Sequence, residues 1–235
     1  MTMRSPVVAM LWEHWRLTRS EAAWHLGLSI VAASAVLTLF ASVATNDVAR
    51  DVGARVALIL AVLPHMVGWF SINKLNVTRT GFPFHLLYIR RVRTATAVGV
   101  SMAYQAGAAA ALYVVSALVL RMISPYAFPL LPAAVWIAGV TVSSLAMQWS
   151  IRNVALRTLA HLTVGVALSG LPMFLLRVDD APGPDWAPPD QWHTLFEVPL
   201  TYYVLIGVTS LASLALTVAA VTRQRRGDRR TAKSW

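Results

Sequence analysis

Six long apolar segments, separated by shorter polar ones, make up most of this chain. Each is close to the roughly 20 residues that an α-helix needs to cross the apolar core of a bilayer. The pattern therefore predicts an all-α, polytopic membrane protein with six transmembrane helices. The predicted spans cover residues 26–44, 56–72, 94–120, 130–148, 158–176 and 198–222.

The first 25 residues have a different pattern, which predicts an amphipathic helix on the membrane surface. Apolar positions that include Trp12 and Trp15 recur at helical spacing, while Arg16 falls on another face. Tryptophan rings favour the headgroup level of a bilayer, as such a helix requires. A tryptophan-anchored segment leading directly into the first span is the alternative interpretation.

Local signals predict where this first helix begins and ends. Ser5 and Pro6 fit an N-cap followed by proline at the first helical position. Thr18 and Glu21 fit a capping box, which would begin a second helix. We therefore predict an interfacial helix that is separate from the first span.

Composition agrees with a membrane protein. Only 13% of the residues are charged, whereas soluble domains carry about 25%, and the mean hydropathy is +0.59. The chain has no cysteine, so disulfides, thiolate metal sites and cysteine nucleophiles are excluded. We expect a single transmembrane domain over residues 1–235, with a basic tail at 223–235.

The net charge of +10 is distributed unevenly along the chain. With six spans, 16 of the 20 lysines and arginines fall on the side that carries both termini, and seven of the ten acidic residues fall on the other. Short loops rich in lysine and arginine stay in the cytoplasm. We therefore predict cytoplasmic termini, and we interpret the charge as a signal for topology and for anionic lipid rather than for nucleic acid.

The loop between the second and third spans is both basic and apolar. Residues 79–93 hold four arginines and no acidic residue, and their apolar positions follow a Gly–Pro turn signal. An apolar surface with a basic rim suits docking to another protein. The residues that we expect to form this coupling loop are Phe82, Pro83, Phe84, Leu87, Arg90, Arg91 and Arg93.

This arrangement resembles the permease subunits of ABC-2 type transporters. The segments that carry the likeness are 81–83, 86–88 and 91–94, where an aromatic, glycine and proline run leads into a basic turn and the third span. The amphipathic N-terminal segment and the acidic, proline-rich loop at 177–197 are similar to further elements of that family.

The resemblance implies a function and partners. The chain would be the membrane subunit of an ATP-driven exporter in the inner membrane of a bacterium, moving an amphipathic or apolar substrate by alternating access. A second permease copy, or a paralogous permease, would pack against it. ATP and magnesium would bind a separate ATPase subunit that docks on the coupling loop.

The sequence contains no pattern for chemistry of its own. Neither lysine closes a P-loop, and the predicted spans contain no aspartate or glutamate. We therefore predict no enzyme activity and no catalytic, cofactor-binding or metal-binding residue. Four polar side chains within spans are candidates for a substrate pathway or for hydrogen bonds between helices, namely His65, Tyr104, Gln105 and His161.

Two other functions compete with transport. One is a membrane anchor or assembly subunit that transports nothing, and the weaker one is a membrane enzyme that uses His65 and His161. On the third span, Gly99, Ala103 and Gly107 follow one another at intervals of four residues. That spacing predicts close packing against a neighbouring helix.

Overall fold

Four long helices form the core of the molecule. The computed structural model describes residues 5–43, 52–53, 55–62, 64, 92–124, 128–151, 156, 159–160 and 200–226. Within these ranges the chain is helical, and no strand occurs. The helices are α1 (Pro6–Val43), α2 (Thr94–Ile123), α3 (Leu131–Ser150) and α4 (Leu200–Arg225). All four are long and apolar enough to cross a membrane, so this is an all-α protein of membrane type.

Three of the predicted spans coincide closely with helices. The third, fourth and sixth predicted spans correspond to α2, α3 and α4, with ends that differ by a few residues. Of the second predicted span, residues 56–62 and 64 are described and helical. The rest of that span, and all of the fifth except residues 159 and 160, lie outside the described residues.

The N-terminal region differs from its prediction. It begins at Pro6 as expected, with the amide of Ala9 donating to the carbonyl of Ser5. However, α1 then continues without a break for 38 residues, or about 57 Å at 1.5 Å per residue. The predicted boundary between a surface helix and the first span is therefore absent. Thr18 caps no new helix, because its hydroxyl donates to the carbonyl of His14 one turn earlier.

Side-chain contacts show that α1 and α2 run in the same direction. His14 contacts Ser101 near the start of both helices, and Ser29 contacts Ser116 further along both. Residues 6–25 therefore pack beside the first half of α2 and do not form a separate surface helix. Towards the end of α1, Phe40 contacts Gly53, at the beginning of the next helical segment.

The helices α3 and α4 also run parallel to each other. Tyr202 donates to the carbonyl of Pro132 at the start of both helices, and Gln224 donates to the carbonyl of Trp149 at the end of both. By contrast, α2 and α3 are antiparallel neighbours joined by a short connection. There Arg121 and Tyr113 of α2 donate to the carbonyls of Phe128 and Pro129.

Two apolar clusters fill the bundle, one towards each end. The first unites the start of α1 and α2 with the end of α3 and α4, and its buried members are Met10, Val92, Ala97, Val98, Met102, Leu145, Ala146, Trp149 and Val221. The second lies towards the α2–α3 connection and is rich in alanine, with Tyr113, Leu120, Phe128 and Ile137 as its large members. The first helix begins, and the last one ends, at the same end of the bundle.

The predicted ridge of small residues on α2 has no close neighbour among the described helices, so its packing against another helix stays a prediction. No described atom lies within 4 Å of where a Cβ on Gly99 or Gly107 would stand, and Ala103 is exposed. No described helix therefore approaches that ridge closely. The close contact occurs instead at Gly139 of α3, where an added Cβ would lie 2.5 Å from Cγ2 of Ile206 on α4.

Candidate functional site

Of the predicted coupling-loop residues, the structure describes only the last. Arg93 is the N-cap of α2, with extended backbone angles (φ −61°, ψ 140°) and an exposed side chain. The other predicted members, Phe82, Pro83, Phe84, Leu87, Arg90 and Arg91, lie outside the described residues.

The point where the loop enters α2 is anchored in the apolar core. Val92 is only 6% exposed and belongs to the same cluster as Met10 of α1, Trp149 of α3 and Val221 of α4. The residue that immediately precedes the Arg93 N-cap therefore contacts a cluster to which all four helices contribute.

Hydrogen bonds from the end of α4 reinforce this anchor. The Nη1 atom of Arg225 donates to the carbonyl oxygen of Val92 and to the hydroxyl of Thr94, at 3.0 Å in each case. Next to it, Gln224 donates to the carbonyl of Trp149 at 3.1 Å. The last turn of α4 thus binds both the first turn of α2 and the last turn of α3.

These contacts gather four arginines at one end of the bundle, which we call the basic end: Arg93, Arg223, Arg225 and Arg226. Three of them are exposed, and Arg225 is half-buried. In the described parts of the chain the only carboxylates are Glu13 and Glu21, both on α1. The N-cap of α2 has no side-chain cap, and its first turn has no acidic residue. The basic end therefore has a large excess of positive charge.

A second group of polar side chains lies between α1 and α2. Nε2 of His14 is 3.0 Å from Oγ of Ser101, and its ring stacks on that of Tyr104 with centroids 5.2 Å apart. The hydroxyl of Tyr104 is 2.7 Å from that of Thr18. Because Thr18 donates its single proton to the carbonyl of His14, Tyr104 is the donor to Thr18 in this pair.

A third contact lies further along both helices. We call the three contacts together the polar seam; its residues are His14, Thr18, Ser29, Ser101, Tyr104 and Ser116. The hydroxyls of Ser29 and Ser116 are both fully buried and lie 2.8 Å apart. Each also lies within hydrogen-bond distance of a carbonyl of its own helix; because a hydroxyl has one proton, one serine donates to the other, which in turn donates to its helix carbonyl. Three polar contacts therefore hold α1 and α2 in register.

The candidate pathway residues have different environments. Tyr104 takes part in the seam, which makes it a hydrogen-bond partner between helices. Gln105 is 4% exposed, and its Oε1 has no hydrogen-bond partner among the residues that the structure describes. His65 and His161 lie outside the described residues.

The residues predicted to anchor α1 at the membrane surface point outward. Trp12 and Trp15 are about half exposed, and Arg16 is exposed as well. The opposite face of the same turns carries Met10, His14 and Thr18, all buried. Their spacing of four residues is visible in the sequence and could have identified the face that contacts α2, whereas the local pattern predicts a capping role for Thr18 and no role for His14.

Hydrogen bonds between the described helices bring together two groups of polar and charged side chains. The described residues contain no group of three or more histidines, cysteines, aspartates or glutamates that could hold a metal ion. The two features with functional potential are the polar seam and the basic end.

No family model matches this chain, and neither does any curated protein or solved structure.

Proposed function

We propose that this chain is the membrane subunit of an ATP-driven exporter of the ABC-2 type. A separate ATPase subunit would supply the ATP and magnesium sites and dock on the loop at residues 79–93. A second copy of the chain, or a related permease, would complete the pathway. The resemblance of that loop to the family's coupling loop is the origin of this proposal.

The attachment of this loop to the packed helices supports the proposal. The loop joins α2 at Val92, which is buried against the other three helices, and Arg225 binds the residues on both sides of Arg93. A force applied to the loop would therefore move α2 and α4 together. Mechanical coupling to a docked ATPase requires such a connection between the loop and the packed helices.

The helix directions support six spans. The parallel pairs, α1 with α2 and α3 with α4, each require the chain to return to its starting end between the two members. Residues 56–62 begin such a return, because Ala57 and Ala61 are buried in the same cluster as Ala33 of α1. One further crossing in each interval gives six spans, with both termini on one side.

The distribution of arginine supports a cytoplasmic location for those termini and an inner-membrane location for the protein. The basic end holds four arginines, whereas the opposite end holds two described ones, Arg55 and Arg121, of which Arg121 donates to the carbonyl of Phe128. Positive residues in short segments mark the cytoplasmic side of a membrane protein.

A non-transporting anchor subunit is the second candidate, and the polar seam favours it. His14 with Ser101, and Ser29 with Ser116, fasten α1 to α2 along much of their shared length. A rigid scaffold needs such fastening. A transporter is compatible with it only if α1 and α2 move as one body.

The first test is purification from the native host in a gentle detergent, with identification of the proteins that co-elute. The proposal expects a separate chain with a P-loop, in a one-to-one ratio. Co-elution with a different membrane complex and no ATPase would replace it with the anchor function.

The loop can be tested directly in the purified complex. Replacing Phe84→Asp together with Leu87→Asp removes the apolar docking surface, so we expect the coupling between ATP hydrolysis and transport to be lost. The matched control is Phe84→Leu with Leu87→Met, which keeps the surface apolar and should retain coupling. Unchanged coupling in the aspartate variant would show that the loop does not dock.

A further inference from the structure

We propose that the basic end is a binding site for the phosphate group of an anionic phospholipid. The site is formed by Arg93 at the start of α2 and by Arg223 and Arg226 at the end of α4. The half-buried Arg225 positions these helix ends and is not itself a ligand. This inference is independent of transport, since it requires only that the helices cross a membrane.

The first argument is geometric. The two hydrogen bonds of Arg225 bracket Arg93, one on Val92 and one on Thr94. They hold the last turn of α4 against the first turn of α2, so arginines that are 130 or more positions apart in the sequence lie at the same end of the bundle. Arg93, Arg223 and Arg226 are all exposed there.

The second argument concerns charge. Three exposed arginines lie at the end of the bundle where α2 begins, and the N-terminus of that helix itself carries a partial positive charge. The last turn of α4 contains no acidic residue, and Glu13 and Glu21 of α1 are the only carboxylates among the described residues. The described residues therefore leave this surface short of negative charge, and an external anion would stabilise it.

The third argument is that apolar surface adjoins the arginines, which favours a phospholipid over a free anion. Leu216, which is 68% exposed, lies two helical turns before Arg223 on the same face of α4, so an exposed apolar surface leads up to that arginine. An apolar surface that ends in a row of arginines matches a phospholipid, whose acyl chains adjoin the phosphate. Guanidinium forms paired hydrogen bonds with phosphate oxygens, and basic clusters at the ends of spanning helices bind anionic headgroups.

The test compares two matched double variants in detergent. Arg93→Gln with Arg223→Gln removes two charges from the site, and Arg16→Gln with Arg19→Gln removes two exposed charges from α1. Melting temperature is titrated with dioleoyl phosphatidylglycerol, with dioleoyl phosphatidylcholine and with inorganic phosphate. Native mass spectrometry counts the phosphatidylglycerol molecules that remain bound.

Phosphatidylglycerol should raise the melting temperature of the wild type, and the site variant should bind it roughly 25-fold more weakly, about fivefold for each arginine. The α1 variant should keep nearly wild-type affinity. Should Arg93→Gln prevent folding, Arg223→Gln with Arg226→Gln leaves α2 unchanged and should weaken binding by the same factor.

Several results would overturn the proposal. Equal weakening in the site variant and the α1 variant would mean that only net charge matters. An equal effect of inorganic phosphate would assign the surface to a free anion. Loss of a co-purifying soluble protein from the site variant, with lipid retention unchanged, would assign it to a protein partner.

Discussion

At the scale of single residues, the most consequential finding is that polar side chains of α1 form hydrogen bonds with side chains of α2. His14, Thr18 and Ser29 are all buried, and each contacts a side chain across the interface. A buried polar group without a partner costs about 1–3 kcal/mol, so these pairs favour one register of the two helices over a slipped one. In membranes such bonds average about 0.6 kcal/mol, which makes them modest individually.

The contact between His14 and Ser101 can be measured with a double-mutant cycle. His14→Phe keeps a ring that can stack on Tyr104 but removes the hydrogen bond, and Ser101→Ala removes its partner. We expect a coupling free energy of about 0.5–1.5 kcal/mol from thermal unfolding in detergent.

Ser42→Ala provides the control for this cycle. Ser42 is exposed at the end of α1, and among the described residues it bonds only to the carbonyl of Leu39 in its own helix. Its replacement should change the free energy of unfolding by less than about 0.5 kcal/mol. A coupling of zero between His14 and Ser101 would contradict the observed contact.

At the scale of helices, α3 and α4 pack closely where a glycine meets a branched side chain. Gly139 is buried, and Ile206, which is 4% exposed, fills the space above it. Small residues let helix backbones approach in this way. The hydrogen bonds of Tyr202 and Gln224 then fix both ends of the same pair.

Gly139→Ala should destabilise the protein by about 1–3 kcal/mol, because the new Cβ would overlap with Cγ2 of Ile206. The effect should nearly vanish in an Ile206→Ala background, where the space is vacant. Thermal unfolding of the four variants in the cycle measures both quantities.

Gly207→Ala on α4 is the matched control, since no described atom lies within 4 Å of the added Cβ. It should be neutral or stabilising, by up to about 1 kcal/mol, because alanine favours helix over glycine. If Gly139→Ala behaves like Gly207→Ala, the close approach of α3 and α4 is not present.

The helices also show how far local pattern predicts structure. The starts and ends of α2, α3 and α4 were predictable, because apolar length and flanking polar or proline residues determine them. The continuity of α1 was not, because Thr18 and Glu21 fit a cap locally while α2 offers Thr18 a different partner. The packing of the ridge formed by Gly99, Ala103 and Gly107 stays a prediction, since spacing identifies small residues without showing which helix packs against them.

At the scale of the whole molecule, the helix directions place the beginning of α1 and the end of α4 together. Met10 and Val221 share one buried cluster, while Arg121 and Phe128 mark the opposite end. The chain contains no cysteine, so any cysteine that is introduced is unique and its accessibility can be measured without background.

We predict opposite accessibility for cysteines at the two ends. Ser5→Cys and Arg226→Cys should react with a membrane-impermeant maleimide only after cells are permeabilised. Met122→Cys, which replaces a side chain that is 85% exposed at the other end, should react in intact cells.

Labelling of Ser5→Cys and Arg226→Cys from different sides would contradict the bundle itself. Labelling of both in intact cells, with Met122→Cys protected, would keep the bundle but reverse the proposed orientation. Denatured samples provide the control for full reactivity.

The sequence by itself determined that this is an all-α membrane protein, where most of its long helices lie, and which segments concentrate positive charge. These properties follow from length, hydropathy and composition, which are local. Only the tertiary structure decided that α1 is continuous and that His14 and Thr18 form hydrogen bonds with α2. It also decided that Arg225 joins α4 to the first turn of α2. Those features depend on pairs of residues 86 to 133 positions apart, and a local pattern cannot show which distant side chain completes a hydrogen bond.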